Sequence, residues 1–459
     1  MTFLRQNMTL ATFMQLVVEL SWLVAAGMIA IHYLVRLGEP LAEAVPSAVT
    51  FAVLLVALNA AFGVYRRNDK LASSEYALRV LLAASIGVPI AYLIDGILPV
   101  GGYLQDDLFT IAALAFGGLI VVRHVVILPL VGVLLPHRVL VLGTGVEAQL
   151  VEASLASSVP AGLRLVGFYP LDKQADVRVP HNLVLKSSGS LEDCVKARGV
   201  HEIIVAVRQQ RGGVLPLRHL LNCRLAGVEI TELASFFERV HGKVPIELLK
   251  VSWLIYGDGY RQGFARTTIK RLFDLLAATS LLMLSFPVIL LAAAAIALES
   301  GMPVLYKQER VGLGGRRFTV FKFRSMAHDA EDGGKARWAV ARDPRVTMVG
   351  RILRRSRIDE LPQLFNVLSG QMSLVGPRPE RPEFVEMLAG QVPFYAVRHS
   401  VKPGVTGWAQ VRYSYGATIE QSIRKLEYDL YYVKNHSLAL DVLVLLETVR
   451  VVLLGEGAH

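Results

Sequence analysis

The chain has 459 residues, of which 53% are hydrophobic, with a mean hydropathy of +0.46 and a formal net charge of +10 at pH 7. This composition is too apolar for an ordinary soluble protein, and the length suggests roughly three domains. A basic chain with so much apolar sequence favours a membrane and a phosphorylated substrate over nucleic acid as partners. The two cysteines, Cys194 and Cys223, argue against a disulfide framework or a cysteine-based zinc site.

Four long apolar stretches open the chain, at residues 12–35, 46–65, 76–100 and 108–135. Each is long enough to cross a hydrocarbon core of ~30 Å, and the first is too long for a signal-peptide core, so we expect no cleavable signal. Buried helices of a large soluble protein are the alternative. The short polar breaks between the stretches favour a four-helix transmembrane bundle over residues 1–136.

Loop charges set the expected orientation of this bundle. The second loop region carries Arg66, Arg67, Lys70 and Arg79, whereas the first and third loops are mainly acidic. Because basic loops stay on the cytoplasmic side, the chain should begin and end the bundle there.

Residues 137–250 change to alternating strands and helices, which predicts a Rossmann-like α/β domain with a parallel sheet. Gly143 and Gly145 form a Gly-x-Gly-x-x-Ala turn after the first strand, a weak signal for a bound nucleotide. The alternative is a structural or dimerising domain. The predicted strands cover residues 139–142, 164–168, 202–207 and 228–231.

A fifth apolar run, residues 275–298, has basic flanks on both sides and Pro287 at its middle. A crossing would place one basic flank outside the cell, against the charge rule. Proline removes a backbone hydrogen bond, so we predict a re-entrant helix–break–helix hairpin over about 270–299. Ser285 is expected to satisfy backbone groups freed at the break, and a straight crossing is the alternative.

Two adjacent carboxylates, Asp359 and Glu360, follow a cluster of arginines, and a Gly-Pro-Arg-Pro turn containing Arg378 comes shortly after. Arginine forks fit phosphate oxygens, and carboxylates hold Mg²⁺. A carboxylate is also a competent covalent nucleophile. Taken alone, the Asp-Glu pair also fits a charge pair at the start of a helix.

Seven ordered motifs in the last third closely resemble the bacterial sugar transferase family, the monotopic polyprenyl-phosphate hexose-1-phosphate transferases. They are Lys270-Arg271-x-x-Asp274, the Pro287 hairpin, Gln308-Glu309-Arg310-Val311-Gly312, Phe321-Lys322-Phe323-Arg324-Ser325-Met326, Asp359-Glu360-Leu361-Pro362-Gln363, Gly376-Pro377-Arg378-Pro379 and Lys402-Pro403-Gly404-Val405-Thr406-Gly407-Trp408. The preceding helices and α/β domain resemble the large form of the family. The segments 231–239 and 253–256 resemble exopolysaccharide transferases found with exosortase systems.

The resemblance implies transfer of a hexose 1-phosphate from a UDP-sugar to undecaprenyl phosphate with release of UMP, the step that starts repeat-unit assembly. Asp359 would be the nucleophile, and Glu360 would help to hold Mg²⁺. Lys322, Arg354 and Arg378 would contact phosphate groups, and a solvated surface role is the alternative for each. Lys270 and Arg271 would meet anionic headgroups or the lipid phosphate.

The resulting expectation is a mixed membrane α and α/β protein. Its parts are a bundle (1–136), a Rossmann-like domain (137–250), a connector (251–267) and an α-rich catalytic domain (268–459). It should be a homodimer in the bacterial inner membrane, with the catalytic domain on the cytoplasmic face beside other exopolysaccharide assembly enzymes. An inactive scaffold of an export complex is one alternative. A nucleotide-sugar dehydratase is another, against which the absence of a Tyr-x-x-x-Lys pair argues.

The hairpin segment departs from the family pattern at one position. Many family members carry Ser directly before the hairpin proline, whereas Phe286 stands there in this chain, with Ser285 one place earlier. The hydrogen bond that holds the break is therefore expected to differ. No motif identifies the sugar.

Overall fold

A computed structural model describes residues 10–30, 41–62, 64, 73–97, 104–127, 137–157, 163–171, 177–185, 190–207, 215–249, 251–256, 263–326, 345–413 and 418–454. Within it the chain forms two compact units, Met1–Val240 and His241–His459. The fold is mixed, with several apolar helices, a parallel sheet and a helix-rich second unit.

The first unit begins with four apolar helices, as the hydropathy pattern predicts. They are α1 (Leu10–Ile29), α2 (Leu41–Ala61), α3 (Ser73–Ile97) and α4 (Leu104–Val122), the last continued by a π-helical turn, Arg123–Ile127. All four contribute to one buried apolar cluster that includes Leu23, Leu55, Val80 and Leu119. In the described part of the chain, the segments long and apolar enough to span a membrane are Tyr76–Ile94, Thr110–Ile127 and Arg266–Ser300.

Polar groups also lie inside this helical cluster. Glu19 is fully buried and accepts a hydrogen bond from the Tyr76 hydroxyl at 2.9 Å, while the Arg123 guanidinium lies 3.8 Å from the centre of the Tyr76 ring. Buried polar side chains of this kind hold neighbouring helices together where water is scarce.

The second part of the first unit is the parallel sheet that the alternating pattern predicts. Its four strands pair in the order β2-β1-β3-β4, all parallel. The strands are β1 (His137–Leu142), β2 (Leu163–Tyr169), β3 (Glu202–Val205) and β4 (Glu229–Glu232). The helices are α5 (Val146–Ser157), α6 (Leu191–Arg198), α7 (Leu217–Leu225) and α8 (Leu233–His241).

The predicted Gly143–Gly145 turn lies between β1 and α5, at the carboxyl end of the sheet. Gly143 has φ 117°, a conformation that favours glycine, and its amide donates to the Tyr169 carbonyl at 2.9 Å. Arg178 N donates to the Thr144 carbonyl at 2.8 Å, so the segment after β2 lies against this turn. Ligand binding by the turn stays a prediction.

The described part of the second unit contains one long helix, several shorter helices and two short strand pairs. Its helices are α9 (Val251–Tyr256), α10 (Phe264–Ser300), α11 (Met348–Arg355), α12 (Gln363–Leu368), α13 (Pro382–Gln391), α14 (Trp408–Arg412), α15 (Ile419–Asn435) and α16 (Leu438–Leu454). Its strands are β5 (Leu305–Val311) antiparallel to β6 (Arg317–Phe323), and β7 (Ser373–Val375) parallel to β8 (Gly404–Thr406).

The long helix α10 differs from the predicted helix–break–helix. It is helical from Phe264 to Ser300, Pro287 included. Proline removes a single i→i−4 hydrogen bond, and the helix continues past it. Ser285 Oγ donates to the Leu281 carbonyl at 2.6 Å, not to the Met283 carbonyl that Pro287 leaves without its usual donor.

Both ends of α10 pack on the rest of the unit, whereas its middle does not. Asp274 is buried, and it accepts from Ser373 Oγ at 2.8 Å. Ala292 and Ile296 are buried in a cluster near the other end. Between these ends the apolar side chains are exposed, with Leu284 at 80% and Leu291 at 71% of their maximum.

Candidate active site

Asp359 and Glu360 lie on a single 3-10 turn, Ile358–Glu360, directly after α11. Arg357 starts the turn with φ 58°, a left-handed conformation that side chains rarely adopt. Both carboxylates are buried. Residues held in sparsely populated backbone conformations cluster at functional sites.

The Glu360 carboxylate forms ion pairs with the surrounding cationic side chains. Its Oε1 accepts from Arg378 Nη2 at 2.8 Å and lies 3.7 Å from Lys322 Nζ. Arg357 Nη1 lies 3.8 Å away. Burial alone would raise the pKa of Glu360, but Arg378, Lys322 and Arg357 together outweigh burial and hold it below the usual range. Glu360 is therefore ionised at neutral pH.

The pKa of Asp359 is shifted in the opposite direction to that of Glu360. Burial and the neighbouring Glu360 charge raise its pKa above the ordinary aspartate range, although Lys322 and Arg354 counteract them in part. Its Oδ1 is buried and has no hydrogen-bond partner among the described residues. An unsatisfied buried carboxylate oxygen is costly, so it points to a group that binds there.

The cations come from three separate elements. Lys322 lies on β6, Arg354 near the end of α11, and Arg378 in the Gly-Pro-Arg-Pro turn after β7. Burial first, and then the charge of Arg378, lower the pKa of Lys322 to about 8. Arg354 Nε donates to Ser325 Oγ at 2.8 Å. The structure thus brings the five predicted residues together around one point.

Residues outside the prediction hold the Arg378 turn. The buried Arg398 donates through Nη2 to the Arg378 carbonyl at 2.9 Å and pairs with Asp429 at 2.8 Å. Arg310 Nη1 donates to the Pro379 carbonyl at 3.2 Å. Arg357 also faces Glu360. No local pattern marks these long-range pairs, although Arg310 lies within a quoted motif.

The predicted lipid-contacting cations make protein contacts. Lys270 Nζ donates to Asp441 Oδ2 at 2.7 Å. Arg271 donates to the carbonyls of Val367 and Leu368, at 2.6 and 2.8 Å, and so binds the carboxyl end of α12. These bonds fasten the start of α10 to the unit, and contact with headgroups stays a prediction.

The donor set fits a divalent magnesium ion. Asp359 and Glu360 are adjacent carboxylates, and the Oδ1 atom of Asp359 lacks a partner among the described residues. Mg²⁺ usually takes one or two protein carboxylates and completes its shell with water and substrate phosphate. A hard cation with few protein ligands is therefore compatible with this turn.

Comparison with known proteins identifies the family of the chain. Residues 265–455 match the family model described as bacterial sugar transferase. The chain is 44% identical over 242 residues to the UDP-N-acetylgalactosamine-undecaprenyl-phosphate N-acetylgalactosaminephosphotransferase of Aeromonas hydrophila, covering 53% of this chain and 56% of the relative. It is 36% identical over 329 residues to the undecaprenyl-phosphate glucose phosphotransferase of Komagataeibacter xylinus, covering 69% and 59%.

A third relative is covered more fully. The chain is 34% identical over 329 residues to the UDP-glucose:undecaprenyl-phosphate glucose-1-phosphate transferase of Escherichia coli, covering 70% of this chain and 69% of the relative. It spans less than two thirds of the first two relatives, at 56% and 59%. The matches with the second and third extend beyond the catalytic unit, and the chain therefore belongs to the large form of the bacterial sugar transferase family.

Proposed function

We propose that this chain transfers a hexose 1-phosphate from a UDP-sugar to undecaprenyl phosphate, through a phosphosugar carried on Asp359. The observation that supports this proposal most is the difference in surroundings between the two adjacent carboxylates of the Ile358–Glu360 turn. Glu360 is held by Arg378 and Lys322, whereas Asp359 has a buried oxygen with no partner among the described residues. A poised carboxylate beside cations suits attack on a diphosphate.

In the first step the Asp359 carboxylate oxygen attacks the β-phosphorus of the UDP-sugar. The bond from that phosphorus to the oxygen bridging the two phosphates breaks, and UMP leaves with the bridging oxygen. The sugar phosphate remains joined to Asp359. Lys322, Arg354 and Arg378 neutralise charge that develops on the phosphate oxygens, because they lie around the carboxylate pair.

In the second step a phosphate oxygen of undecaprenyl phosphate attacks the same phosphorus. The bond to Asp359 breaks, which gives undecaprenyl-diphosphate-sugar and restores the carboxylate. Mg²⁺ would be held by Glu360, with the free oxygen of Asp359 nearby, and when bound it supplies positive charge against the diphosphate.

The topology proposed for this reaction keeps the catalytic unit on one side of the membrane. Residues near both ends of α10, Arg271 and Ile296, contact the same unit, while the side chains between them are apolar and exposed. The path along the helix from Asp274 to Ala292 is about 27 Å long. We infer that this middle part lies in the cytoplasmic leaflet of the inner membrane without crossing it, with both ends of α10 on the cytoplasmic side, while α1–α4 cross the membrane.

The remaining assignments follow the family. The parallel sheet is proposed to be a Rossmann-like domain, and its strand order, with β1 between β2 and β3, is compatible with that fold. A homodimer and association with other exopolysaccharide assembly enzymes are also proposed.

The experiment that tests the function is an assay of UMP release. Purified protein in nanodiscs with Mg²⁺ and undecaprenyl phosphate is incubated with a panel of UDP-sugars. We expect one or a few sugars to release UMP and to yield a lipid-linked sugar diphosphate. Release of UDP, or transfer of sugar without its phosphate, would contradict the proposal.

A further inference from the structure

The last turns of α10 pack against the elements that carry the candidate active-site residues. A buried apolar cluster joins Ala292 and Ile296 of α10 to Phe323 and Leu353, with Ile358 packed against it. Each of the last three adjoins a site residue in the sequence: Phe323 follows Lys322, Leu353 precedes Arg354, and Ile358 precedes Asp359. Adjacent side chains point in different directions, so the apolar one meets α10 while its neighbour is free to face the site.

Glu299, in the last turn of α10, binds the start of α11. Both of its carboxylate oxygens accept from the Val349 amide, at 3.1 and 3.2 Å. Thr347 caps the same helix by accepting from the Gly350 amide at 3.0 Å. A carboxylate at a helix amino terminus satisfies an amide that has no intrahelical partner and interacts favourably with the helix dipole. α11 carries Arg354, so Glu299 connects the end of α10 to the first turn of the helix that bears this cation.

Arg324 makes a second connection at the carboxyl end of α10. Its guanidinium is buried and donates through Nη2 to the Ser300 carbonyl at 2.7 Å and to the Gly301 carbonyl. A cation at this position interacts favourably with the negative end of the helix dipole. Arg324 lies two residues after Lys322, so it fastens the end of that strand to α10.

The two connections meet at Ser325. A Cβ added to Gly350 would lie 2.1 Å from the Ser325 carbonyl oxygen, so α11 touches the backbone next to Arg324 with no room for a side chain. Thr347 N also donates to that carbonyl oxygen, at 3.2 Å. The helix that bears Arg354 and the strand that bears Lys322 are thus held to each other and to α10.

We propose that Glu299 and Arg324 are positioning residues that lock the end of α10 to the two elements carrying Arg354 and Lys322. These contacts fix Arg354 and Lys322 relative to Asp359. The rate of the chemical step therefore depends on the position of the carboxyl end of α10. Neither residue touches substrate in this account. The inference rests on the proposed function for its kinetic consequence, while the contacts themselves are independent of it.

Glu299 is the residue to change, because its side chain is exposed and its loss leaves no cavity. We expect Glu299→Ala to lower kcat for UMP release about tenfold, since small misplacement of charged groups is costly to rate. KM for the UDP-sugar should change less than twofold. Glu299→Gln keeps an oxygen acceptor for the Val349 amide and should recover part of the loss. The control is Glu386→Ala, which removes an exposed carboxylate that pairs only at the surface, 3.3 Å from Arg317.

Hydrogen exchange of the peptide 345–357 tests the contact without reference to activity. Glu299→Ala should speed exchange in this peptide, and Glu386→Ala should not. Unchanged exchange, or faster exchange with unchanged kcat, would overturn the positioning role. If the wild-type protein released no UMP while exchange responded as expected, the proposed function would fail and the contact would stand.

Discussion

Two buried carboxylates, one in each unit, have opposite surroundings. Glu202, on β3, is fully buried and both of its oxygens are paired. Oε1 accepts from Thr231 Oγ1 and Arg239 Nη2, each at 2.6 Å, and Oε2 pairs with His137 Nε2 at 2.9 Å. Asp359 is also buried, yet its Oδ1 has no partner among the described residues.

The pKa values follow from this difference. Burial raises the pKa of both groups. At Glu202 the bonds from His137, Arg239 and Thr231 outweigh burial and bring the pKa to about 2. At Asp359 burial and the Glu360 charge outweigh the nearby cations, so its pKa is raised. A satisfied buried acid stabilises the fold, and an unsatisfied one beside cations is poised for chemistry.

The largest expected effect comes from Asp359→Asn. We expect kcat for UMP release to fall about 10³-fold or more, because a covalent nucleophile is removed. The melting temperature should stay the same or rise, since an amide carries no charge to bury beside Glu360. If Asp359→Asn kept near-wild-type turnover, Asp359 would not be the nucleophile, and the contrast drawn between Asp359 and Glu202 would be wrong.

Glu202→Gln should lower stability and leave activity nearly unchanged, the reverse of Asp359→Asn. Removing one partner of a buried ion pair costs about 3 kcal/mol of unfolding free energy. UMP release per folded molecule should remain within about twofold of wild type. Because the folded-state pKa is depressed, the stabilisation from Glu202 is present at neutral pH and is lost as the pH falls from about 4 towards 2. Thermal unfolding of both proteins at several pH values checks this.

The smallest expected effect is in the pH profile of kcat/KM. Asp359 must be ionised to attack, so activity should fall as the pH drops through its raised pKa, at a higher pH than an ordinary aspartate would give. Lys322 loses its charge as the pH rises through about 8, which gives an alkaline limb. Lys322→Arg should shift the alkaline limb upward, because arginine stays charged. If Lys322→Arg left the alkaline limb unchanged, that limb would report the titration of a group other than Lys322.

Local patterns predicted much of the fold. The alternation of apolar runs and turns located β1, β2, β3 and β4 to within a few residues, and hydropathy located α1–α4. The break at Pro287 was expected from the loss of one hydrogen bond, yet α10 is helical throughout. Proline removes one backbone hydrogen bond, and here the helix continues past it between two ends that both contact the rest of the unit.

The site was predicted in part. The residue pattern suggested Asp359, Glu360 and the nearby arginines. The family resemblance added Lys322 and assigned phosphate contacts to Lys322, Arg354 and Arg378, and the structure brings these residues together. Sequence reasoning missed Arg398 and Asp429, which lie far from Arg378 along the chain and hold its turn. It also did not anticipate the pairing of Lys270 with Asp441, while the expected contact of Lys270 with lipid stays a prediction. Pairings between distant segments depend on tertiary packing, which periodicity does not report.

The measurement that tests the central claim most directly is mass spectrometry of the protein after incubation with UDP-sugar and Mg²⁺ in the absence of undecaprenyl phosphate. The account predicts release of at most one UMP per active site and a hexose-phosphate adduct on the peptide that contains Asp359. Adding undecaprenyl phosphate should remove the adduct. Turnover of UDP-sugar without any adduct, or an adduct on another residue, would contradict Asp359 as the nucleophile.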